Sequence, residues 1–290
     1  MNKFVMRQSL LLLLTAIIWG VAFVAQSVGM DYVGPFTFIT ARSAIGAIVL
    51  VPYIMLRQRR SEEKEGDEKH LILGGICCGV LLFVASSLQQ IGVMHTTVGK
   101  AGFVTAMYIV IVPLIGIFFR KKAGIKLWSG VALAVTGLYF LCMTSGSVSI
   151  QMGDMLTFLC AIAFAFQIMA VDYFAPKVDG VKLSFMQFVV CIILGGVATL
   201  LFESPSVEQI WQAWLPILYA GALSSGVGYT LQIVGQRGMN PTVASLIMSM
   251  ESVVSVIAGW AILGEALSGR ELLGCALMFG AIILVQLPEM

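Results

Sequence analysis

Charge is scarce in this chain. Of its 290 residues only 11% are Asp, Glu, Lys or Arg, less than half the share of about 25% in a typical soluble domain. A globule of this size could not cover itself with polar side chains. Histidine is scarcer still. His70 and His95 are the only two, too few for a His-based metal cluster. The six cysteines, Cys77, Cys78, Cys142, Cys160, Cys191 and Cys275, all fall in apolar runs without a CxxC or Cys/His ligand spacing. They read as small apolar packing residues. There is no HExxH and no phosphate-binding glycine loop, and the two histidines are expected on opposite sides of the membrane. Metallohydrolase chemistry and ATP-driven pumping by this chain are therefore set aside, and no cofactor is implied. A net charge of +2 is too small to mark a nucleic-acid partner.

What the chain has in excess is apolar sequence: 59% of residues, with a mean hydropathy of +0.97. A membrane span needs about 20 mostly apolar residues. Ten segments qualify, approximately 9–29, 35–56, 71–92, 98–119, 126–144, 154–174, 183–203, 211–235, 241–263 and 270–288. Each should be a helix, because an open strand edge leaves backbone polar groups unsatisfied in hydrocarbon. The fold class expected is therefore an all-α polytopic membrane protein of ten transmembrane helices, with the lipid bilayer as its solvent. Lys3 and Arg7 ahead of the first run have the shape of a secretory signal. That run continues past Trp19 to Met30, however, and reads as a retained span. The longest polar piece is Arg57–His70, a solvated connector.

Orientation follows from the placement of Lys and Arg. With the N-terminus in the cytoplasm and ten spans, one side collects Lys3, Arg7, Arg57, Arg59, Arg60, Lys64, Lys69, Arg120, Lys121, Lys122, Lys126, Lys177, Lys182 and Arg237. The other side holds only Lys100 and Arg270, and Arg42 lies within a span. A wrong span count would scramble this partition. Both termini are expected in the cytoplasm of a plasma or inner membrane.

The sequence also repeats itself. Residues 88–141 lie over residues 231–284, with Thr97-Val98 on Thr242-Val243, and Trp19-Gly20 falls on Phe164-Ala165. The repeats are expected at 1–145 and 146–290, five helices each. Five is odd, so the second repeat enters from the opposite face. Such inverted repeats place a binding site near the midplane and let one half rock against the other.

In these features the chain resembles the drug/metabolite transporter superfamily, in its EamA-type ten-helix branch, over nearly its whole length. The resemblance rests on Trp19-Gly20, on Ala41-Arg42, and on the run Gly99-Lys100-Ala-Gly-Phe103-Val-Thr105-Ala-Met-Tyr108 through Pro113. It rests also on Ser249-Met250-Glu251-Ser252-Val253, close to the family's Leu-Glu-Pro-Val, and on the ending Leu263-Gly264-Glu265. Two places depart from the pattern: Ser252 stands where proline is usual, and Arg120-Lys121-Lys122 replaces the Gly-Glu ending of the first repeat. The resemblance implies the fold and a transport role, without a particular substrate.

Embedded polar groups are the candidates for chemistry, since a charge at the centre of a span costs roughly 2.5–3.5 kcal/mol on insertion scales. Glu251 lies mid-span and Arg42 a third of the way down the second span. The two form either a coupling and solute-binding pair or a structural ion pair. Ser225, Tyr229, Gln232 and Gln236 recur at helical spacing on one face, as do Thr15, Trp19, Ala22 and Gln26. Gln89 and Gln90, Tyr108, Gln167 and Gln187 add amides and a phenol. Together they outline a pocket for a neutral or zwitterionic solute, the competing use of such groups being interhelical hydrogen bonding. Substrate contact is assigned to Trp19, Gln89, Gln90, Tyr108, Gln167, Ser225, Tyr229, Gln232 and Glu251. Pro113 is expected to kink the fourth span.

The leading function is a secondary transporter, an exporter or exchanger of small organic metabolites such as amino acids or drugs. The alternative is a polytopic enzyme or flippase acting on a lipid-linked substrate. The partners expected are a small-molecule solute and the bilayer, and a homodimer stays open.

Overall fold

The computed structural model describes residues 3–59, 68–118, 124–142, 152–264 and 268–286. Outside them lie the middle of the charged connector, the basic run 120–122, Glu265 and the expected repeat boundary at 145/146. Every described element is helical. In chain order these are α1 (Lys3–Gly29), α2 (Pro35–Arg59), α3 (Glu68–Val93), α4 (Val98–Phe118) and α5 (Ile125–Cys142). There follow α6 (Met152–Phe174), α7 (Gly180–Phe202), α8 (Trp214–Gln236), α9 (Pro241–Leu263) and α10 (Gly269–Gln286). A short helix, Val207–Gln212, precedes α8.

Eight of these are long and apolar enough to cross a membrane, while α5 and α10 hold shorter apolar stretches, Ile125–Gly137 and Leu272–Val285. Among the described residues, then, eight of the ten expected spans have full length, and α5 and α10 are described as far as Cys142 and Gln286.

The molecule is inside-out relative to a soluble protein. Leu10, Ile17, Ile48, Leu73, Phe166, Ile193 and Leu200 are exposed, whereas Gln8, Arg42, Gln89, Gln90, Gln167, Gln187, Gln232, Gln236 and Glu251 are buried. Water would reverse that arrangement; lipid favours it. This is a multi-pass membrane protein.

Helix ends are fixed by short-range chemistry. Asp179 accepts bonds from the Val181 and Lys182 amides at the start of α7, and Asn240 with Pro241 starts α9. Gly264 closes α9 at φ 72°, a left-handed conformation that suits glycine. The start of α2 is capped from a distance. Glu203, at the end of α7, takes the Phe36 and Thr37 amides at 2.8 Å each and the Thr37 hydroxyl at 2.6 Å.

Packing follows a two-fold pattern. α3 lies on α6 and α7, and α8 lies correspondingly on α1 and α2; α4 packs on α6 as α9 packs on α1; α2–α7, α4–α9 and α5–α10 pair with themselves. Shifting every helix by five reproduces the set. The match extends to atoms. A Cβ placed on Gly79 would come within 2.6 Å of Val190 Cβ and 2.9 Å of the Gln187 carbonyl. One on Gly221 would come within 2.6 Å of Ile45 Cβ and 3.0 Å of the Arg42 carbonyl. A second pair of contacts sets Gly92 against Thr157 and Gly235 against Leu12. The all-α fold is therefore two five-helix repeats of opposite sense.

One residue breaks the register. Gly92 follows Gly79 by thirteen positions, but Gly235 follows Gly221 by fourteen. The additional residue is absorbed in α8, whose stretch Tyr219–Tyr229 is wound as a π-helix with i→i+5 bonding.

Candidate functional site

α4 and α9 are each interrupted at equivalent points, at Met107 and at Ser249–Met250. Tight i→i−3 bonds close the break in both: Met107 N to Val104 O at 3.2 Å, and Met250 N to Ile247 O at 3.2 Å. The α4 break comes six residues ahead of Pro113, which sits inside the continuing helix. In α9 no proline is involved. Instead Ser245, Ser249, Ser252 and Ser255 each turn their hydroxyl back onto the carbonyl three residues before, at 2.6–2.9 Å. Serine back-bonding of this kind bends helices, so a serine ladder does here what the proline of the related pattern does at the position of Ser252.

The first residue after each break is Tyr108 in α4 and Glu251 in α9. These equivalent positions meet: the Tyr108 hydroxyl donates to Glu251 Oε1 at 3.0 Å. Gly20 makes room for them, since a Cβ there would strike Val254 and lie 2.7 Å from the Glu251 carbonyl. Glu251 also opens the second half of α9, the end at which a helix favours negative charge.

Around this pair is a crevice with about 410 Å³ of atom-free space, its open mouth included. Its walls repeat the two-fold. Trp19 and Phe164, Phe23 and Ile168, Gln89 and Gln232, Tyr108 and Glu251 are counterparts, and all eight line it. Ala22, Gln26, Arg42, Ser224 and Tyr229 complete the lining. Trp19 is held firmly, its indole N–H donating to the Ser224 carbonyl at 3.2 Å and its ring 4.6 Å from that of Tyr229. Thr15 reaches the Gly228 carbonyl at 3.4 Å.

Arg42 and Glu251 face the same crevice without bonding each other. Arg42 Nη2 donates to Ser86 Oγ at 2.8 Å, and the direct partner of Glu251 is Tyr108. Gln89 donates to Thr105 at 3.4 Å. The crevice therefore presents one cation, one carboxylate, amides and aromatic faces.

Of the residues assigned to solute contact from sequence, Trp19, Gln89, Tyr108, Tyr229, Gln232 and Glu251 line the crevice. Three lie elsewhere. Ser225 packs against Gly46 of α2, and Ser224, in the π-helical stretch, lines the crevice in its place. Gln90 donates to the Gln26 carbonyl at 3.1 Å, and Gln167 accepts from Gln232 at 3.0 Å, one layer behind the wall. Phe23, Phe164 and Ile168 had no polar signal, although the repeat register lays Phe164 on Trp19. Among the described residues, no group of three or more His, Cys, Asp or Glu could hold a metal ion.

Polar contacts tie the helices together at the two ends of the molecule. At one, Thr96 and Lys100 bond Asp154 at 3.1 and 2.6 Å, tying the start of α4 to the start of α6. At the other, Gln8 of α1 donates to the Val234 and Arg237 carbonyls at 2.9 Å each.

Residues 6–143 and 151–287 each match the EamA-like transporter family. An uncharacterized transporter of Archaeoglobus fulgidus is 29% identical, over 95% of this chain and 84% of its own length. The uncharacterized inner membrane transporter YedA of Escherichia coli is 22% identical, over 94% of this chain and 88% of its own. YoaV of Bacillus subtilis, likewise described as an uncharacterized transporter, is 21% identical over 90% of each. A solved structure described as "Crystal structure of protein" superposes with a TM-score of 0.78 at 18% identity, covering 97% of this chain and 96% of its own. That last likeness is one of fold.

Proposed function

The chain belongs to the EamA-like transporter family and is a membrane transporter, and from that premise we propose that it carries small zwitterionic solutes, amino acids among them, by alternating access. One observation carries the solute class: Arg42 and Glu251 line a single crevice and leave each other unbonded. Two embedded charges that do not neutralise one another are costly. A solute with a carboxylate at one end and an ammonium at the other compensates both. The aromatic walls, Trp19, Phe23, Phe164 and Tyr229, suit an apolar side chain on that solute.

Residues 1–145 and 146–290 act as the two bodies that rock about the crevice. Both termini face the cytoplasm, as the Lys/Arg bias supports, and the direction is export or exchange. Arg42 holds the solute carboxylate, Glu251 the ammonium, and Tyr108 orients Glu251.

The test is uptake of labelled leucine into liposomes containing the purified chain, beside its decarboxylated amine and its deaminated acid. Saturable uptake of leucine, with either single-charge analogue at least about tenfold poorer, is expected; losing a charge-assisted partner costs about 1.5–3 kcal/mol. Equal handling of all three, or a lipid product with no saturable flux, would remove the reading.

A further inference from the structure

The lining of the crevice is not fully symmetric: Ala22, Gln26 and Arg42 of the first repeat and Ser224 and Tyr229 of the second line it without a lining counterpart. Gln26 corresponds to the apolar Val171, and the two whose counterparts are amides are Ala22 and Arg42. Their two-fold counterparts are Gln167 and Gln187, by the register that sets Leu12 with Thr157 and Ile45 with Val190. Neither counterpart lines the crevice, and both are wholly buried. Both also carry polar atoms without a partner: Nε2 of Gln167, and both Nε2 and Oε1 of Gln187. Burying such atoms unpaired is costly, and native proteins avoid it. Gln187 stands next to Phe188, whose ring lies 6.1 Å from that of Tyr229 in the crevice wall.

Two inverted repeats with equivalent packing can exchange conformations, and the exchange is what moves access from one face to the other. The residues that line the site then exchange with their counterparts. We propose that Gln167 and Gln187 are solute-contacting residues of the alternate state, entering the crevice as Ala22 and Arg42 withdraw. The orphaned amides find their partners there, on solute or water. The change also replaces a guanidinium by neutral amides, so the solute carboxylate is held by charge in one state and by amide donors in the other. This inference rests on the alternating-access reading above.

The experiment is thiol labelling with N-ethylmaleimide in liposomes, resolved by site through peptide mass spectrometry. Gln26→Cys reports the present state and leaves Arg42 in place; Gln187→Cys and Gln167→Cys report the other. If the alternate state is the minor one, at roughly 0.1–10% of the population, Gln187→Cys labels measurably but about 10- to 1,000-fold more slowly than Gln26→Cys. Adding Asp154→Ala, which releases the α4–α6 contact, moves the two rates in opposite directions, changing their ratio by about fivefold or more. Gln167→Cys follows Gln187→Cys, and supplies the answer if the latter fails to fold. Gln187→Leu keeps or raises the melting temperature, because it removes unpaired polar atoms, while leucine uptake falls. A Gln187→Cys thiol that never labels, or rates that rise and fall together, would overturn the inference. Labelling needs no transported solute, so reciprocal rates in a chain that moves nothing would reject the solute assignment alone.

Discussion

The contact between Tyr108 and Glu251 joins the two repeats at the residues that follow their helix breaks, and it can be weighed by a double-mutant cycle. Tyr108→Phe deletes the hydroxyl that donates at 3.0 Å to Glu251 Oε1 and leaves the ring in its buried site. Glu251→Gln keeps the shape of the acceptor and removes its charge. A buried hydrogen bond is worth about 0.5–1.5 kcal/mol net between neutral groups and about 1.5–3 kcal/mol when one partner is ionised. The coupling energy therefore reads out the state of Glu251 as well as the bond. The assay is kcat/KM for leucine uptake in each single variant and in the double variant, with thermal unfolding in parallel. Each single change is expected to lower uptake, and the double variant to lose about 1–3 kcal/mol less than the sum of the two. Effects that add within about 0.5 kcal/mol mean the pair is not coupled, and the role given to the two helix breaks would fall with it.

Further outcomes follow from the same geometry. Glu203→Ala strips three bonds from the start of α2 and should lower unfolding free energy by about 2–3 kcal/mol, seen as a drop in melting temperature without a change in solute preference. Gly20→Val forces a branched side chain onto Val254 and the Glu251 carbonyl; it should cost about 1–3 kcal/mol and reduce uptake, whereas the same change at Gly196, where a Cβ meets nothing within 4 Å, should do neither. Ser252→Pro should be tolerated to within about 1 kcal/mol, because the Ser252 amide makes only a tight bond to Ser249 in an already broken turn; proline within the regular helix at Val256 should cost about 3 kcal/mol or more. Melting curves of the two proline variants decide the comparison.

Much of this fold is legible in the sequence because the bilayer simplifies the rules. Apolar runs mark helices, and an embedded Arg42 or Glu251 is too costly to be incidental, so the charges and the stripe on α1 lead to the crevice. The repeat is visible in the overlay of 88–141 on 231–284, although the helix starts set Thr97 on Asn240, the N-caps of α4 and α9, and not on Thr242 as the dipeptide match suggests. What escapes is whatever depends on local winding. α-Helical spacing assigns Ser225 to the site, whereas Ser224, in the π-helical stretch, lines it. Gln90 and Gln167 look the same in sequence whether they face a solute or another amide; only packing separates them. The aromatic and aliphatic wall of Phe23, Phe164 and Ile168 carries no polar mark, and it is reachable only by laying the repeats over each other.

The central claim is that one crevice serves both faces in turn, and counterflow tests it most directly. Liposomes containing the chain are loaded with unlabelled leucine and diluted into a trace of labelled leucine, with no ion gradient. A carrier that returns loaded draws label inward, so a transient accumulation above equilibrium is predicted, one that Arg42→Gln and Glu251→Gln abolish. Label that only rises to equilibrium, at a rate indifferent to the internal leucine, would contradict it.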